Sequence, residues 1–319
     1  MRNKLILEFW DRSNVLNLKN KDYYSYVKNL IDEKIKQDIG KGDITTDSLI
    51  DESKEINAHI IAREDGVVAG IEEASLLEEI EPVKKDGAMI KEGDVILKIS
   101  GNARKILGFE RMLLNILQRM SGIATITYNI KKLINDACFI AGTRKTILPL
   151  LDKKAISVGG ALTHRLNLND TVLIKENHLE ILNNGFEKAL RLTVENTKTN
   201  YIEIEVKNEK EALKAAEAIF NLKSEKLFAI MFDNMKATMI KNTIEKIYNI
   251  KKIKNNEKLN AQKSSISGTN SFGNKILFEA SGGINQSNIG SYCNTGVDIV
   301  SLGFLTHSPK VLNMSLIIK

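Results

Sequence analysis

The sequence predicts an α/β protein of two domains, in which the larger, C-terminal domain is built on parallel strands that form either a wound sheet or a barrel. The first observation is size, because 319 residues with 43% hydrophobic content can bury the core of two domains. The second is that short apolar runs alternate with helical stretches after about residue 125. The third is that charged residues stand where several of these runs end, which is typical of folds that bind ligands at the carboxyl ends of parallel strands.

The first 125 residues divide into an extension and a smaller domain. Residues 1–22 are polar and weakly patterned, so they are interpreted as an N-terminal extension. Gly40 and Gly42 end the first helix of the N-terminal α/β domain, which is predicted over residues 23–125. Its predicted elements are a helix at 24–35, strands at 58–63 and 67–70, a helix at 71–80, a strand at 95–99 and a helix that begins at 107 and continues to 133.

The second predicted domain spans residues 126–304, and residues 305–319 are expected to return to the N-terminal domain. Its apolar runs predict strands at 138–141, 172–175, 201–206, 227–232, 276–280 and 298–302. Helical spacing predicts helices at 148–157, 185–193, 209–220, 236–248 and 286–295.

Composition and charge exclude several classes of protein. The net charge is +6. Between Lys241 and Lys263 there are seven lysines and two glutamates, so most of the excess positive charge lies in one polar stretch. Residues 249–273 of this region are interpreted as an insertion. This favours a solvated insertion over a nucleic-acid-binding arm, and no nucleic-acid partner is expected. No apolar run reaches the roughly 18 residues of a membrane span, so a cytoplasmic protein is predicted. Cys138 and Cys293 lack metal-binding spacing and are expected to be reduced core residues.

Charged side chains mark the ends of the first four strands of the second domain. They are Arg144 and Lys145, Lys175, Glu205, and Asp233. In the third strand, Glu203 and Glu205 point to the same face because side chains alternate along a strand. A carboxylate buried there needs a cation or a metal as its partner.

Glycine-rich turns follow the last two strands. Ser281-Gly282-Gly283 lies between a strand and a helix, and Gly303 follows the final strand. Such turns let backbone N–H groups approach an anion, and the last two strands of a barrel commonly seat a phosphate. Together with the cations at the strand ends, these turns predict a multiply anionic, phosphorylated substrate.

Ten short motifs extend from about residue 35 to the C-terminus. They are 42–46 (GDITT), 110–115 (ERMLLN), 120–125 (MSGIAT), 142–146 (GTRKT), 164–166 (HRL), 173–178 (LIKENH), 204–206 (IEV), 232–234 (FDN), 281–283 (SGG) and 305–308 (LTHS). In this order they resemble the motifs of the quinolinate phosphoribosyltransferases, also called carboxylating nicotinate-nucleotide pyrophosphorylases. Family members commonly carry Pro-Gly soon after the fourth motif, where this chain reads Ile147-Leu148-Pro149-Leu150.

The resemblance implies a fold and a reaction. The fold is an N-terminal α/β domain of the sandwich type joined to an open-sided, TIM-like α/β barrel. The implied assembly is a homodimer in which each N-terminal domain covers the barrel mouth of its partner. The implied reaction is that of a pentosyltransferase in de novo NAD biosynthesis. It joins quinolinate to 5-phosphoribosyl 1-pyrophosphate with Mg²⁺ and yields nicotinate mononucleotide, pyrophosphate and CO₂.

The resemblance also implies a role for each matching residue. The quinolinate dianion would be gripped by Thr143, Arg144, His164 and Arg165, and by Arg111 reaching across the dimer. Lys145 and Lys175 would serve the carboxylates and the pyrophosphate. Glu205 and Asp233 would hold the ribose hydroxyls and Mg²⁺, and with Lys145 they are the predicted catalytic residues. The 5-phosphate would lie against Ser281, Gly282, Gly283 and Gly303. His178 and Glu203 are interpreted as structural residues.

Three other functions stay open at the level of sequence. The chain could be the non-decarboxylating relative that uses nicotinate, or a divergent homologue of the kind associated with molybdenum transport. It could also be a basic nucleic-acid-binding protein that uses its lysine-rich insertion. Because Arg111 and the pair His164-Arg165 are all present, a site for two carboxylates is favoured over a changed substrate.

Overall fold

The structure, a computed structural model, describes residues 2–183, 185–262 and 276–319. These residues fall into two compact units, each assembled from separate stretches of chain. The parallel-sheet unit contains Ile134–Ala141 and His164–Gly303, together with the N-terminal residues up to Asp11. The antiparallel-sheet unit contains Arg12–Leu133, Gly142–Thr163 and Phe304–Lys319.

The elements are numbered in chain order. The strands are β1 (Glu55–Ala62), β2 (Gly66–Val67), β3 (Ile80–Pro82), β4 (Met89–Ile90), β5 (Val95–Asn102), β6 (Phe139–Gly142), β7 (Val172–Ile174), β8 (Tyr201–Val206), β9 (Leu227–Asp233), β10 (Ile276–Ser281), β11 (Ile299–Leu302) and β12 (Met314–Ile318). The helices are α1 (Arg2–Trp10), α2 (Lys21–Ile39), α3 (Ile44–Leu49), α4 (Ile71–Ala74), α5 (Ala103–Leu133), α6 (Pro149–Val158), α7 (Glu176–Ile181), α8 (Phe186–Asn196), α9 (Glu209–Asn221), α10 (Ala237–Gln262), α11 (Ile289–Cys293) and α12 (Phe304–His307). A short 3₁₀-helix spans Ser13–Val15.

The antiparallel-sheet unit is built on a four-stranded sheet in the order β12-β1-β5-β3. Strand β1 is antiparallel to β5 and to β12, and its buried residues Ala58, Ile60 and Ala62 alternate with more exposed ones. Alternation of this kind is expected of a sheet with one face on a core. The long helix α5 packs against α2, α6 and this sheet, and its buried apolar face runs along its length.

The parallel-sheet unit is built on a six-stranded sheet in the order β6-β11-β10-β9-β8-β7. The neighbours from β7 to β11 are parallel, and most of their residues are buried and apolar, as expected for strands covered on both faces. Strands β6 and β7 are the two ends of the order, so the sheet is open on one side. The predicted fold class, a small sheet domain followed by a parallel-strand α/β domain, is confirmed.

The N-terminal residues contain more structure than their composition suggested. Helix α1 buries Ile6, Phe9 and Trp10, which lie at the spacing i, i+3 and i+4 of an amphipathic helix. The guanidinium of Arg2 forms two hydrogen bonds with the carboxylate of Asp298, at 2.5 and 2.6 Å. Helix α1 is therefore part of the core of the parallel-sheet unit.

Two predicted helices differ clearly from the structure. The predicted helix at 71–80 is only the four residues of α4, because the chain turns into β3. Helix α10 runs on to Gln262 instead of ending at 248, since the lysine-rich run contains neither glycine nor proline. Residues 263–273 of the predicted insertion lie outside the described residues.

None of the helices in the described part of the chain has both the length and the apolar character needed to cross a membrane.

The expectation that both cysteines are reduced was wrong. Cys138, just before β6, and Cys293, the last residue of α11, form a disulfide with a Cα–Cα distance of 5.2 Å. They are separated by 155 residues in sequence. They meet because β6 and β11 are neighbours in the sheet, a pairing that spacing along the chain does not reveal.

Candidate active site

An ion pair between an exposed lysine and a buried glutamate lies at the carboxyl ends of β7 and β8. The Nζ atom of Lys175, which follows β7 directly, is 2.6 Å from Oε2 of Glu205, near the end of β8. The backbone N–H of Lys175 donates to Nδ1 of His178 at 2.9 Å, which fixes the start of α7. Glu205 is buried, whereas Lys175 is exposed, so the pair offers a solvent-facing cation held by a carboxylate. The cation expected beside a buried carboxylate of this strand is thus Lys175, which follows the neighbouring strand β7.

The turns that follow β9 and β10 are joined by a hydrogen bond. Asp233 ends β9, is half-buried, and its Oδ2 accepts a hydrogen bond from Asn234 at 3.0 Å. The N–H of Asn234 donates to the carbonyl of Ser281, at the end of β10, at 2.9 Å. Gly282 has φ +88°, and a Cβ atom there would lie 2.5 Å from Oδ1 of Asn234, so only glycine fits. Ser281, Gly282 and the exposed Gly283 therefore form a backbone-lined turn beside a carboxylate.

His164 lies in a buried cluster with two glutamates. Its Nε2 is 2.9 Å from Oε2 of Glu279 on β10 and 3.4 Å from Oε2 of Glu203 on β8. The backbone N–H of Arg165 donates to Nδ1 of the same ring at 2.7 Å, so Nδ1 is an acceptor and Nε2 carries the proton. His164 has φ +56°, a strained backbone for a residue with a side chain. Both ring nitrogens are engaged within the protein.

A shared proton explains how two carboxyl groups can be buried together. Burial and the neighbouring Glu279 raise the pKa of Glu203 well above its usual range, which favours the neutral form of its carboxyl group. Burial also acts to raise the pKa of Glu279, but the electrostatic attraction of His164, together with hydrogen bonds from His164, Ser301 and Glu203, outweighs it and the pKa is lowered. The indole of Trp10 lies next to Glu203 and lowers its pKa in turn. The cluster therefore carries one carboxylate with several donors around it.

The antiparallel-sheet unit carries the cation-bearing loop that follows β6. Arg144 and Lys145 are exposed, and Thr143 is half-buried. The Oγ1 atom of Thr143 accepts from the N–H of Lys145 at 3.3 Å and lies 3.5 Å from Oγ1 of Thr306. The two cationic side chains of the loop are thus exposed to solvent, and the hydrogen bonds of Thr143 hold the start of the loop in place.

A buried carboxylate anchors the far end of this loop. Asp152 on α6 is fully buried and accepts two hydrogen bonds from Arg119 of α5, at 2.8 Å from Nε and 2.7 Å from Nη2. The hydroxyl of Thr146 donates to the same carboxylate. This bidentate pair, together with the Thr146 hydroxyl, fixes the loop to both helices.

Arg111 is exposed on α5 and lines a cavity of about 510 Å³ in the antiparallel-sheet unit. The rest of the lining comes from α2, α5 and the loop before α6, including Lys34, Arg119, Ile147 and Leu148. The cavity therefore has a cationic side formed by arginines of α5. The residues of α2 that line it are Leu30, Lys34, Gln37 and Asp38.

The residues expected to hold Mg²⁺ have suitable chemistry. Glu205 and Asp233 are carboxylates at the carboxyl ends of adjacent parallel strands, and carboxylate oxygens are ligands that Mg²⁺ prefers. Lys175 already occupies Oε2 of Glu205, so the two residues fit an ion that takes most of its ligands from substrate and water.

The structure distributes the predicted site residues over both units. The parallel-sheet unit holds His164, Arg165, Lys175, Glu205, Asp233, Ser281, Gly282, Gly283 and Gly303, and the antiparallel-sheet unit holds Arg111, Thr143, Arg144 and Lys145. Sequence reasoning missed Glu279 and gave Glu203 no partner. The alternation of β8 placed Glu203 and Glu205 on one face, and the available signal for a partner was Glu279, a charged residue within the apolar run of β10.

Comparisons with known proteins identify relatives along most of the chain. Sequence models of the N-terminal and C-terminal domains of quinolinate phosphoribosyl transferase match residues 43–121 and 123–317. A probable carboxylating nicotinate-nucleotide pyrophosphorylase of Methanothermobacter thermautotrophicus is 35% identical over 300 residues, which are 91% of this chain and 98% of the relative. That of Bacillus subtilis is 33% identical over 91% of this chain and 92% of its own length. The solved nicotinate-nucleotide pyrophosphorylase from Ehrlichia chaffeensis has a TM-score of 0.75 at 30% identity, covering 92% of this chain and 98% of that one.

Proposed function

We propose that this chain, which belongs to the quinolinate phosphoribosyltransferase family, transfers the phosphoribosyl group of 5-phosphoribosyl 1-pyrophosphate to quinolinate. The products are nicotinate mononucleotide, pyrophosphate and CO₂, and the reaction belongs to NAD biosynthesis. The observation that carries the proposal is the set Lys175, Glu205 and Asp233. It places one cation and two carboxylates at the carboxyl ends of three neighbouring parallel strands.

Arginine side chains supply the binding of the dianion. Arg144 is exposed on the loop after β6, and its planar fork can bind a carboxylate through two hydrogen bonds. Arg165 is the second arginine, and its backbone is held by the ring of His164. Because both nitrogens of that ring are engaged, His164 acts on the substrate through Arg165 in this arrangement.

Cleavage of the bond between C1 of the ribose and the pyrophosphate oxygen builds positive charge on the sugar. Carboxylates near the ring stabilise that charge, and Glu205 and Asp233 are the carboxylates at this edge of the sheet. Lys145 and Lys175 stabilise the negative charge of the leaving pyrophosphate. A bound Mg²⁺ would neutralise further charge on the pyrophosphate oxygens. The 5-phosphate is assigned to the turn at Ser281–Gly283 and to Gly303 after β11, because glycine lets backbone N–H groups approach an anion closely.

The ring nitrogen of quinolinate attacks C1, and this alkylation prepares the loss of CO₂. The bond from C2 to its carboxylate breaks, its electron pair stays on C2, and the cationic ring nitrogen stabilises that pair until C2 takes a proton. No side chain needs to act as a nucleophile. Holding the dianion in register with C1 therefore supplies much of the catalysis.

The assembly and location of the protein are further parts of the proposal. The exposed Arg111 beside its cavity supports a homodimer in which Arg111 reaches the quinolinate site of the partner subunit. The concentration of lysine in one stretch supports a protein without a nucleic-acid partner. A cytoplasmic location is also proposed.

The deciding experiment supplies the protein with quinolinate, 5-phosphoribosyl 1-pyrophosphate and Mg²⁺. We expect CO₂, pyrophosphate and nicotinate mononucleotide in equal amounts. Turnover with nicotinate but none with quinolinate would assign the non-decarboxylating activity instead. Deleting residues 250–272 should leave turnover intact, and a loss of turnover would show that the insertion takes part in it.

Variants test the assignment of the site. Lys175→Met should lower kcat/KM by about 100-fold or more, because a charge aimed at the transition state is removed. Lys207→Met is the matched control, since Lys207 is an exposed lysine nearby that pairs with Glu176. Mixing Arg111→Ala with Lys145→Ala should restore activity through hybrid dimers, and absence of any restoration would contradict a shared site.

A further inference from the structure

A lysine is completely buried in the antiparallel-sheet unit. Lys153 on α6 has no exposed surface. Its Nζ donates to the carbonyl oxygen of Gly142 at 2.5 Å and to that of Thr163 at 2.5 Å. Lysine is among the residues least often buried, because removing an ammonium group from water is costly. An apolar side chain of similar length would fill the same space without that cost.

The two carbonyl groups belong to the segments that carry the proposed binding cations. Gly142 is the last residue of β6, and Thr143, Arg144 and Lys145 follow it. Thr163 is followed directly by His164 and Arg165. One ammonium group therefore joins the starting points of both segments. Along the chain, the whole of α6 lies between the two segments.

The neighbouring residue of α6 fixes the other end of the first segment. Asp152 binds the hydroxyl of Thr146, while Lys153 binds the carbonyl of Gly142. The loop between these two points is thus held at both ends by consecutive residues of one helix. Gly142 itself is closely packed, since a Cβ there would lie 2.1 Å from Cδ1 of Ile156.

We propose that Lys153 is a positioning residue for substrate binding, which sets the spacing between Gly142 and Thr163, the residues after which the segment of Arg144 and Lys145 and the segment of Arg165 begin. The inference rests on the proposed function, because it assigns these cations to the quinolinate dianion. Two arginine forks that hold one rigid dianion must keep their separation, and misplacement of a reacting group by about 1 Å can cost about 100-fold in rate. The cost of burying the ammonium group then has a functional reason.

The adjacent residue provides a matched control. Lys154 is also largely buried, with 12% of its side chain exposed, and its Nζ donates to the carbonyl of Leu16 and to Glu72, both at 2.6 Å. Lys153→Met and Lys154→Met each remove a lysine that binds a backbone carbonyl on the same helix. Of the two lysines, Lys153 binds carbonyl groups at the start of the segments of the proposed site, whereas Lys154 binds Leu16 and Glu72. A general loss of stability would affect both variants alike.

The test compares steady-state kinetics and thermal unfolding of the two variants with the unaltered protein. Lys153→Met should raise the KM for quinolinate at least tenfold, and more than the KM for 5-phosphoribosyl 1-pyrophosphate, whereas Lys154→Met should change the quinolinate KM less than threefold. Equal quinolinate KM values in the two variants would overturn the proposal. If the unaltered protein and Lys154→Met turn over quinolinate, and the quinolinate KM of Lys153→Met equals that of Lys154→Met, this inference fails while the proposed function stands.

A second measurement applies even without turnover. Hydrogen exchange of the amides of residues 143–148 and 164–166 should be faster in Lys153→Met than in Lys154→Met. Unchanged exchange at both segments would overturn the proposal. If Lys153→Met does not fold, Lys153→Gln replaces it. The glutamine amide stops one bond short of the Nζ position, so the same rise in KM and in exchange is expected, and values equal to those of the unaltered protein would contradict it.

Discussion

A buried glutamate should make the stability of the protein fall as the pH rises toward neutrality. Glu73 on α4 is completely buried, and its Oε1 accepts a hydrogen bond from the hydroxyl of Tyr23 at 2.6 Å. Burial and the nearby Asp86 raise the pKa of Glu73 from its ordinary 4.5 to about 7. The perturbation is Glu73→Gln, which keeps the shape of the side chain and removes its titration.

The sign and size of the change in stability with pH follow from the proton that Glu73 keeps in the folded protein. Between pH 4.5 and 7 the folded state retains a proton that the unfolded state releases, so stability decreases as the pH rises. The shift of the Glu73 pKa corresponds to about 3 kcal/mol in total, at about 1.4 kcal/mol per pH unit. About 2.5 kcal/mol of this falls between pH 5 and pH 8. The free energy of unfolding of Glu73→Gln, minus that of the unaltered protein, should therefore rise by about 2.5 kcal/mol over this range.

Urea unfolding at pH 5, 6, 7 and 8 measures this difference, because each pH gives a free energy of unfolding for both proteins. Glu78→Gln is the control, since Glu78 is an exposed glutamate of the same region and its difference should stay flat. A flat or falling difference for Glu73→Gln would refute the reasoning. It would mean that the carboxylate of Glu73 is ionised in the folded protein throughout the range.

Three further predictions follow from buried groups. Asp152→Asn should destabilise the protein by about 3 kcal/mol in urea unfolding, because the charge of Arg119 then lacks its buried partner, and an unchanged midpoint would contradict the pairing. Reduction of the Cys138–Cys293 bond should cost about 2–4 kcal/mol, and thiol titration of the denatured protein should find no free thiol before reduction and two after it. Trp10 is the single tryptophan and is fully buried, so its fluorescence should resist quenching by iodide. Trp10→Ala should lower the free energy of unfolding by about 3–5 kcal/mol. A readily quenched indole would place α1 outside the core.

Local sequence patterns predicted most strands and helices within a few residues. The strand predicted at 201–206 is β8, and the predicted helix at 209–220 is α9 with one more residue. These elements are read from the period of apolar residues, which is a property of consecutive positions. The prediction failed for residues 71–80, where the composition suits a helix but the chain leaves α4 to form β3 of the antiparallel sheet.

The candidate site was partly predictable for the same reason. Residues that end a parallel strand lie at one edge of the sheet whatever the packing, so Lys175, Glu205 and Asp233 could be singled out from the sequence. The order of the motifs identified the family, and the comparisons confirm it. The partners of these residues were not predictable. That Lys175 pairs with Glu205 depends on the register of β7 against β8.

The sequence by itself determined the two-domain α/β class, the strand-end charges and the family, because each is encoded in short runs of residues. Only the tertiary structure showed that His164 meets Glu203 and Glu279 in a buried cluster, and that the two cysteines form a disulfide. It also placed Lys153 between two carbonyl groups. The physical reason is that these contacts join groups far apart along the chain or across a whole helix. Their distances are set by strand order and helix packing, on which local periodicity carries no information.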